Sequence, residues 1–295
     1  MALKRENKFI KTVDFMGATP DYAPAQAVIF GAPMDYTVSF RPGTRFGPEK
    51  IRSISYVLEE YSPYLQKELC ETIFFDAGDL QLPFGNPGKS LELIHQAALA
   101  IFKDEKFPIV LGGEHLITLP VVQAAYKHYN NLKVIQIDAH ADLREDYENE
   151  EFSHATVIRK VAELIGGSNV FQLGIRSGTK EEFQYAQEYT NMYFDELIAP
   201  LQEVIAKCGQ DPVYLTIDID ILDPAYAPGT GTPEPGGATS KELLQAMKEL
   251  SSLNIIGFDV VEVSPPYDTA EITSAVAAKL VREALIGFIK KPKGT

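Results

Sequence analysis

The segment Val134 to Asp146 reads VIQIDAHADLRED and sets Asp138, His140 and Asp142 at alternate positions. Side chains two apart in an extended run share a face, so these three groups converge on one small volume. Two further apolar runs end in kindred chemistry. FPIVLGGEH, from Phe107, delivers His115 after a glycine pair that lets the chain turn sharply. YLTIDIDILDP, from Tyr214, delivers Asp218 and Asp220 on one face, with Asp223 just beyond. Four aspartates and two histidines in a dry crevice without a counter-charge would take up protons at considerable cost. Divalent metal ions remove that conflict. The donor set suits a borderline-hard ion such as Mn²⁺ better than thiolate-seeking ions, and six protein ligands are too many for one ion that keeps an open position. Two ions roughly 3.5–4 Å apart, sharing a carboxylate, fit the set and would hold a bridging water as hydroxide.

Buried strands must carry these groups. AVIFG from Ala27, TIFFD from Thr72, FPIVLGG from Phe107, LKVIQID from Leu132, NVFQLGI from Asn169, PVYLTIDID from Pro212 and NIIGFDVVEV from Asn254 are rich in β-branched and aromatic residues. Helix-like stretches separate them. Thr179 with Glu182, and Thr239 with Glu242, have the spacing of capping boxes that open helices, and ITSAVAAKLVREALIGFI reads as a long amphipathic helix. Strands alternating with helices imply an α/β fold with right-handed crossovers and a mostly parallel sheet covered on both faces. No repeat, low-complexity tract or linker divides the chain, so residues 1–295 read as a single domain. In such sheets ligands bind outside the carboxyl ends of the strands, where the three clusters fall.

Composition narrows the setting. The 295 residues are 45% hydrophobic, enough for a sizeable core, and the formal charge of −14 argues against a surface that binds nucleic acid. Such a field favours a cationic small molecule instead. No apolar run approaches a bilayer span, and MALKRENKFI has no apolar h-region of a signal peptide. Cys70 and Cys208 offer no disulfide framework, which suits a reducing cytoplasm.

The chain resembles the ureohydrolases, the arginase and agmatinase superfamily. GGEH, DAHAD and DIDILDP stand as its three metal signatures in the family's order, and the likeness runs from GAPMDYTVSFRPGTRFGP to FDVVEVSPPYD, nearly the whole chain. RPGTRFGP, APGTGTPEPGG and the SHAT segment look more like agmatinases than arginases. The resemblance implies a three-layer α/β/α sandwich, a homo-oligomer of trimer or hexamer type, and two Mn²⁺ per subunit. It assigns His115, Asp138, Asp142 and Asp218 to one ion and His140, Asp138, Asp218 and Asp220 to the other. Asp223 would orient its loop. His154 matches the family's proton-shuttling histidine, although Ala155 stands where many relatives have Gly. Glu262 matches the carboxylate that holds the substrate's guanidinium.

The implied reaction is hydrolysis of a guanidino group to urea and an amine. Guanidinium carbon is a poor electrophile, so attack needs the strong nucleophile that metal ions generate at neutral pH. Glu262 would clamp the planar cation, Asp142 would pass a proton from the attacking oxygen to the leaving amine, and His154, with a pKa near working pH, would exchange protons with solvent. The segment REDYENEE, 144–151, carries Glu145, Asp146, Glu148, Glu150 and Glu151 against Arg144. This bias favours agmatine, which ends in an ammonium, and makes Glu151 the candidate to meet it; a solvated acidic loop is the alternative. Other amidinohydrolases of the fold, acting on guanidinobutyrate or formiminoglutamate, and a non-catalytic metal-binding scaffold are the competing readings. Arg45 and Arg176 read as structural ion-pairing or subunit-contact residues, and Gly229, Gly231, Gly236 and Gly237 as loop-shaping residues rather than a phosphate cradle.

Overall fold

A computed structural model describes residues 8–290. The expectation about a signal segment rests on residues 1–10, of which 1–7 lie outside that span. In chain order the elements are β1 (Phe9–Ile10), β2 (Ala27–Ala32), α1 (Gly47–Ser55), β3 (Tyr61–Ser62), β4 (Lys67–Glu68), β5 (Phe74–Leu80), α2 (Pro87–Lys103) and β6 (Phe107–Gly112). There follow α3 (Thr118–His128), β7 (Lys133–Ile137), α4 (Val157–Ile165), β8 (Val170–Ile175), α5 (Lys180–Tyr189) and β9 (Asn191–Phe194). The rest are α6 (Leu201–Cys208), β10 (Pro212–Asp218), α7 (Ser240–Leu250), β11 (Asn254–Val261) and α8 (Ile272–Gly287).

All seven apolar runs form strands. They join β1 and β9 in a nine-stranded sheet of order β1-β5-β2-β6-β11-β10-β7-β8-β9. Every pairing is parallel except β1 against β5. Continuous apolar sequence follows from burial on both faces: β2 and β8 are buried at every position. One hydrophobic cluster packs α1, α6, α7 and α8 onto one face, and a second packs α2, α3 and α4 onto the other, which makes the three-layer α/β/α sandwich. Both capping boxes form, with Thr179 and Thr239 accepting the backbone N–H of Glu182 and Glu242 while those glutamates reach back.

The sheet order puts β6, β11, β10 and β7 side by side. Because these strands are parallel, their carboxyl ends open on one edge, and the residues following them share one crevice.

Candidate metal centre

Each donor sits just past a strand, and the chain leaves the sheet earlier than simple alternation implies. β7 ends at Ile137, so Asp138, His140 and Asp142 are not successive residues of a pleated strand. Asp142 has φ 54° and His140 bridges to Ser177. Ala139 and Ala141 are fully buried between the donors, so a turning backbone, more than the pleat, brings the three side chains together. Asp218 closes β10 and accepts the Asp220 N–H at 2.9 Å, folding Asp220 into a short 3₁₀ turn. His115 opens another such turn after Gly113, where a Cβ would lie 1.9 Å from the Met34 carbonyl oxygen. Glycine is required there because the backbone of the β2 loop passes so close.

His115 Nδ1 lies 3.1 Å from Asp138 Oδ2, 3.0 Å from Asp142 Oδ2 and 3.5 Å from Asp218 Oδ2. Its Nε2 is 2.9 Å from the Thr216 hydroxyl, which orients the ring. His140 Nδ1 lies 2.8 Å from Asp220 Oδ2 and 3.8 Å from Asp138 Oδ1. Two donor triads result, His115–Asp138–Asp218 and Asp138–His140–Asp220, each with ligand atoms within 4.8 Å of one another. Asp138 belongs to both. Asp142 borders the first triad through His115, and Asp218 enters only the first, where the resemblance implied membership of both.

Burial raises the carboxyl of Asp142 to about 7, with the charge of Asp138 adding to it. Asp218 is raised well above the usual carboxylate range by burial and then by Asp220, Asp138 and Glu262. Burial opposes the charged forms of Asp220 and His140, but their mutual attraction outweighs it and drives them apart, to about 2 and about 10. Nδ1 of His115 is buried and makes no hydrogen bond despite facing three carboxylates. An imidazole lone-pair position aimed at converging carboxylate oxygens, in a region that penalises their charge, fits divalent cations.

Glu262 follows β11 directly at φ 63° and is nearly fully buried. Its Oε1 accepts the His115 N–H at 2.8 Å, and its carboxylate lines the cavity. Burial, then the nearby Glu114, raises it to about 8. His154 lies on the same cavity, with its ring edge-on to Tyr147 at 5.6 Å. Its N–H donates to the Thr37 hydroxyl at 3.1 Å. Burial, then the charge of His140, lowers His154 to about 4. The expectation of a pKa near working pH therefore gives way to a ring that is neutral there. Ala155 sits in a 3₁₀ turn outside the positive-φ set, so it serves as well as glycine.

The cavity of about 290 Å³ is lined, besides Glu262 and His154, by Arg144, Tyr147, Ser177, Thr179 and Glu182. Glu151 is not among its lining residues. Its carboxylate pairs with Lys160 Nζ at 2.7 Å on an exposed flank, a correction to the sequence reading. Direction of the side chain, not local charge, decides the matter. Glu182 is the wall carboxylate that sequence reasoning missed. The capping-box spacing did signal this residue, but as a helix start only. Arg176 donates to the carbonyls of Asp220, Ile221, Glu234 and Pro235, and Arg45 pairs with Asp35 at 2.9 Å, both structural contacts. Asp223 accepts the Ala225 and Gly236 N–H groups and shapes its loop.

Comparison with known proteins extends the geometry. The model of the arginase family matches residues 25–287. An agmatinase of Bacillus subtilis (strain 168) is 54% identical over 280 residues, covering 94% of this chain and 96% of that protein. A guanidinobutyrase of Pseudomonas aeruginosa is 36% identical, covering 88% of this chain and 85% of that protein. The crystal structure of the agmatine ureohydrolase of Thermoplasma volcanium superposes with a TM-score of 0.86 at 32% identity, covering 95% of each chain.

Proposed function

The chain belongs to the arginase family, and from that premise we propose that it hydrolyses agmatine to putrescine and urea with two Mn²⁺ ions. The observation that carries this reading is the pair of donor triads joined at Asp138 beside a cavity that Glu262 also lines. His115, Asp138, Asp142 and Asp218 would hold one ion, and Asp138, His140 and Asp220 the other, which Asp218 would also reach on the family's pattern although it lies only in the first triad. When bound, such ions lower the pKa of water enough to supply a nucleophile at neutral pH.

The chain's own groups do the rest. Glu262, with Oε1 fixed by the His115 N–H, keeps its other oxygen for the substrate guanidinium and orients its carbon. Asp142 accepts the proton released by the attacking oxygen and returns it to the leaving amine. His154, neutral and beside the cavity, would pass to solvent a second proton, the one a fresh water gives up in becoming the next nucleophile. Burial of Glu262 and Asp142 excludes water and strengthens each of these contacts. The carboxylate of Glu182, which lines the same cavity and already accepts the Leu143 and Thr179 N–H groups, would meet the substrate ammonium.

One feature favours a second reading, a carboxylate-tailed guanidine such as guanidinobutyrate. Arg144 lines the same wall, and its Nε is 3.7 Å from Glu182 Oε2. In the agmatine reading Glu182 and Tyr147 occupy that guanidinium; in the other it meets the substrate carboxylate. Urea release from agmatine, guanidinobutyrate and arginine, with added Mn²⁺ and after chelation, separates them. Metal-dependent turnover of agmatine well ahead of both carboxylates is expected. Brisk guanidinobutyrate turnover with agmatine inert overturns the substrate assignment. We further infer a cytoplasmic homo-oligomer, whose subunit count light scattering measures.

A further inference from the structure

Glu114 lies between the glycine pair and His115 and is fully buried, yet it belongs to neither donor triad. Both its oxygens are taken by one residue of the loop after β2: Oε2 accepts the Thr37 N–H at 2.8 Å, and Oε1 accepts the Thr37 hydroxyl at 2.9 Å. That hydroxyl is also the partner of His154. It accepts the His154 N–H at 3.1 Å and lies 3.5 Å from the ring Nδ1. On the other side of the ring, the Ser39 hydroxyl is 3.4 Å from Nε2.

Hydrogen counting then sets the ring's state. A threonine hydroxyl has one hydrogen and two lone pairs. With Glu114 as a carboxylate, the threonine hydrogen is spent on its Oε1, and one lone pair receives the His154 backbone N–H. Toward Nδ1 it has only a lone pair left, so the contact is favourable when Nδ1 carries the proton. A neutral imidazole protonated at Nδ1 is bare at Nε2, where the Ser39 hydroxyl can donate. Tyr147 packs against the ring in a T-shaped contact, centroids 5.6 Å apart, and limits its rotation.

We infer that Glu114 and Thr37 are a positioning pair that fixes the tautomer of His154, leaving Nε2 as the atom that takes and gives the proton. Glu114 touches neither substrate nor metal in this arrangement; it acts through Thr37, and Thr37 acts through the ring. This rests on the proton-shuttle reading of His154 given above, but the tautomer is a property of the resting protein and can be measured without turnover.

The experiment uses the full chain labelled with ¹⁵N-histidine and loaded with diamagnetic Mg²⁺; the His154→Asn spectrum assigns the resonance. Ring ¹⁵N shifts of the Nδ1–H form are expected in the wild type. Thr37→Val keeps the side chain's shape and removes the hydroxyl, so the tautomer preference should vanish. With Mn²⁺ restored, its kcat should fall about tenfold with KM within about twofold and unchanged metal content. Thr37→Ser should restore both signals. Glu114→Gln is the sharper variant: an amide N–H presented to the Thr37 oxygen frees the threonine hydrogen for Nδ1 and should reverse the tautomer to Nε2–H. An Nε2–H ring in the wild type, or a Thr37→Val ring that stays Nδ1–H, overturns the inference. If His154→Asn turns over agmatine at the wild-type rate, the shuttle reading fails while the tautomer measurement still stands by itself.

Discussion

Asp76, within β5, and Asp218, at the end of β10, are both buried aspartates on parallel strands, and their surroundings differ in kind. Asp76 Oδ2 meets Arg52 Nε at 2.8 Å and the Phe15 N–H at 2.9 Å, while Oδ1 accepts the Gly78 N–H at 2.9 Å. Arg52 also reaches Asp79. The fold supplies that carboxylate with a cation and amides of its own. Asp218 accepts the Asp220 N–H, and its remaining neighbours are His115 and the carboxylates of Asp220, Asp138 and Glu262. Charge balance there is left to something that binds. A buried acid with its own partner holds the fold together, whereas a buried acid crowded by like charges is held in readiness for a cation, at a cost to the metal-free chain.

The largest expected effect breaks the second kind of site. Asp218→Asn keeps an oxygen for the Asp220 N–H and removes the charge. Metal per chain should fall, and urea release should drop on the order of a thousandfold because the nucleophile depends on bound ions. The metal-free variant should melt no lower than metal-free wild type, since a repelled charge has gone. Elemental analysis and calorimetry check both halves; a metal-free variant that melts much lower would mean Asp218 is a structural acid like Asp76.

Next comes the reverse experiment. Asp76→Ala strands the buried Arg52 guanidinium with only Asp79, and truncating one member of a buried pair costs about 3–5 kcal/mol. The unfolding midpoint should fall by roughly 5–15 °C, with metal per folded chain unchanged. Loss of metal at intact stability would erase the distinction.

The same contrast explains what the sequence could reveal. Strands were legible because parallel, doubly covered strands such as Ala27–Ala32 and Val170–Ile175 read as unbroken apolar runs. β1 and β9 lie at the sheet's edges, and β1 has only two residues, so neither has a comparable signal. Asp138, His140, Asp142, Asp218 and Asp220 could be read as one cluster because acids and an imidazole close behind apolar runs are an uncommon pattern, and the carboxyl ends of parallel strands are where such groups meet. Glu151 was misread because net charge along 144–151 says nothing of which way a side chain turns; Lys160, nine residues on, takes it. Glu182 went unnoticed as a wall residue since its approach to the cavity depends on where α5 packs. Thr37 was legible only as part of a motif, because its contacts to Glu114 and His154 span 77 and 117 residues of sequence.

The smallest expected effect sharpens the comparison through pH. In the metal-free chain Asp142 and Glu262 titrate at about 7 and about 8, both raised by burial first, and His140 at about 10 through its attraction to Asp220. A group whose folded pKa exceeds its unfolded value binds more protons when folded, so stability declines as pH rises between the two values. For Asp142 and Glu262 that decline runs from the ordinary carboxylate range up to pH 7–8, and for His140 from about 6.5 to about 10. The depressed His154 opposes it only between about 4 and 6.5. Between pH 6.5 and 7 all three raised groups act in one direction, Glu262 and His140 continue together to about 8, and the midpoint of the metal-free chain should fall by a few degrees between pH 6.5 and 8. Saturating Mn²⁺ should flatten or reverse the slope, because metal binding requires the deprotonated ligands. Asp218→Asn should show a shallower decline than wild type, having lost one of the acids that hold the others protonated. A metal-free midpoint that climbs with pH across that window would show that these carboxylates are compensated by the fold after all, as Asp76 is.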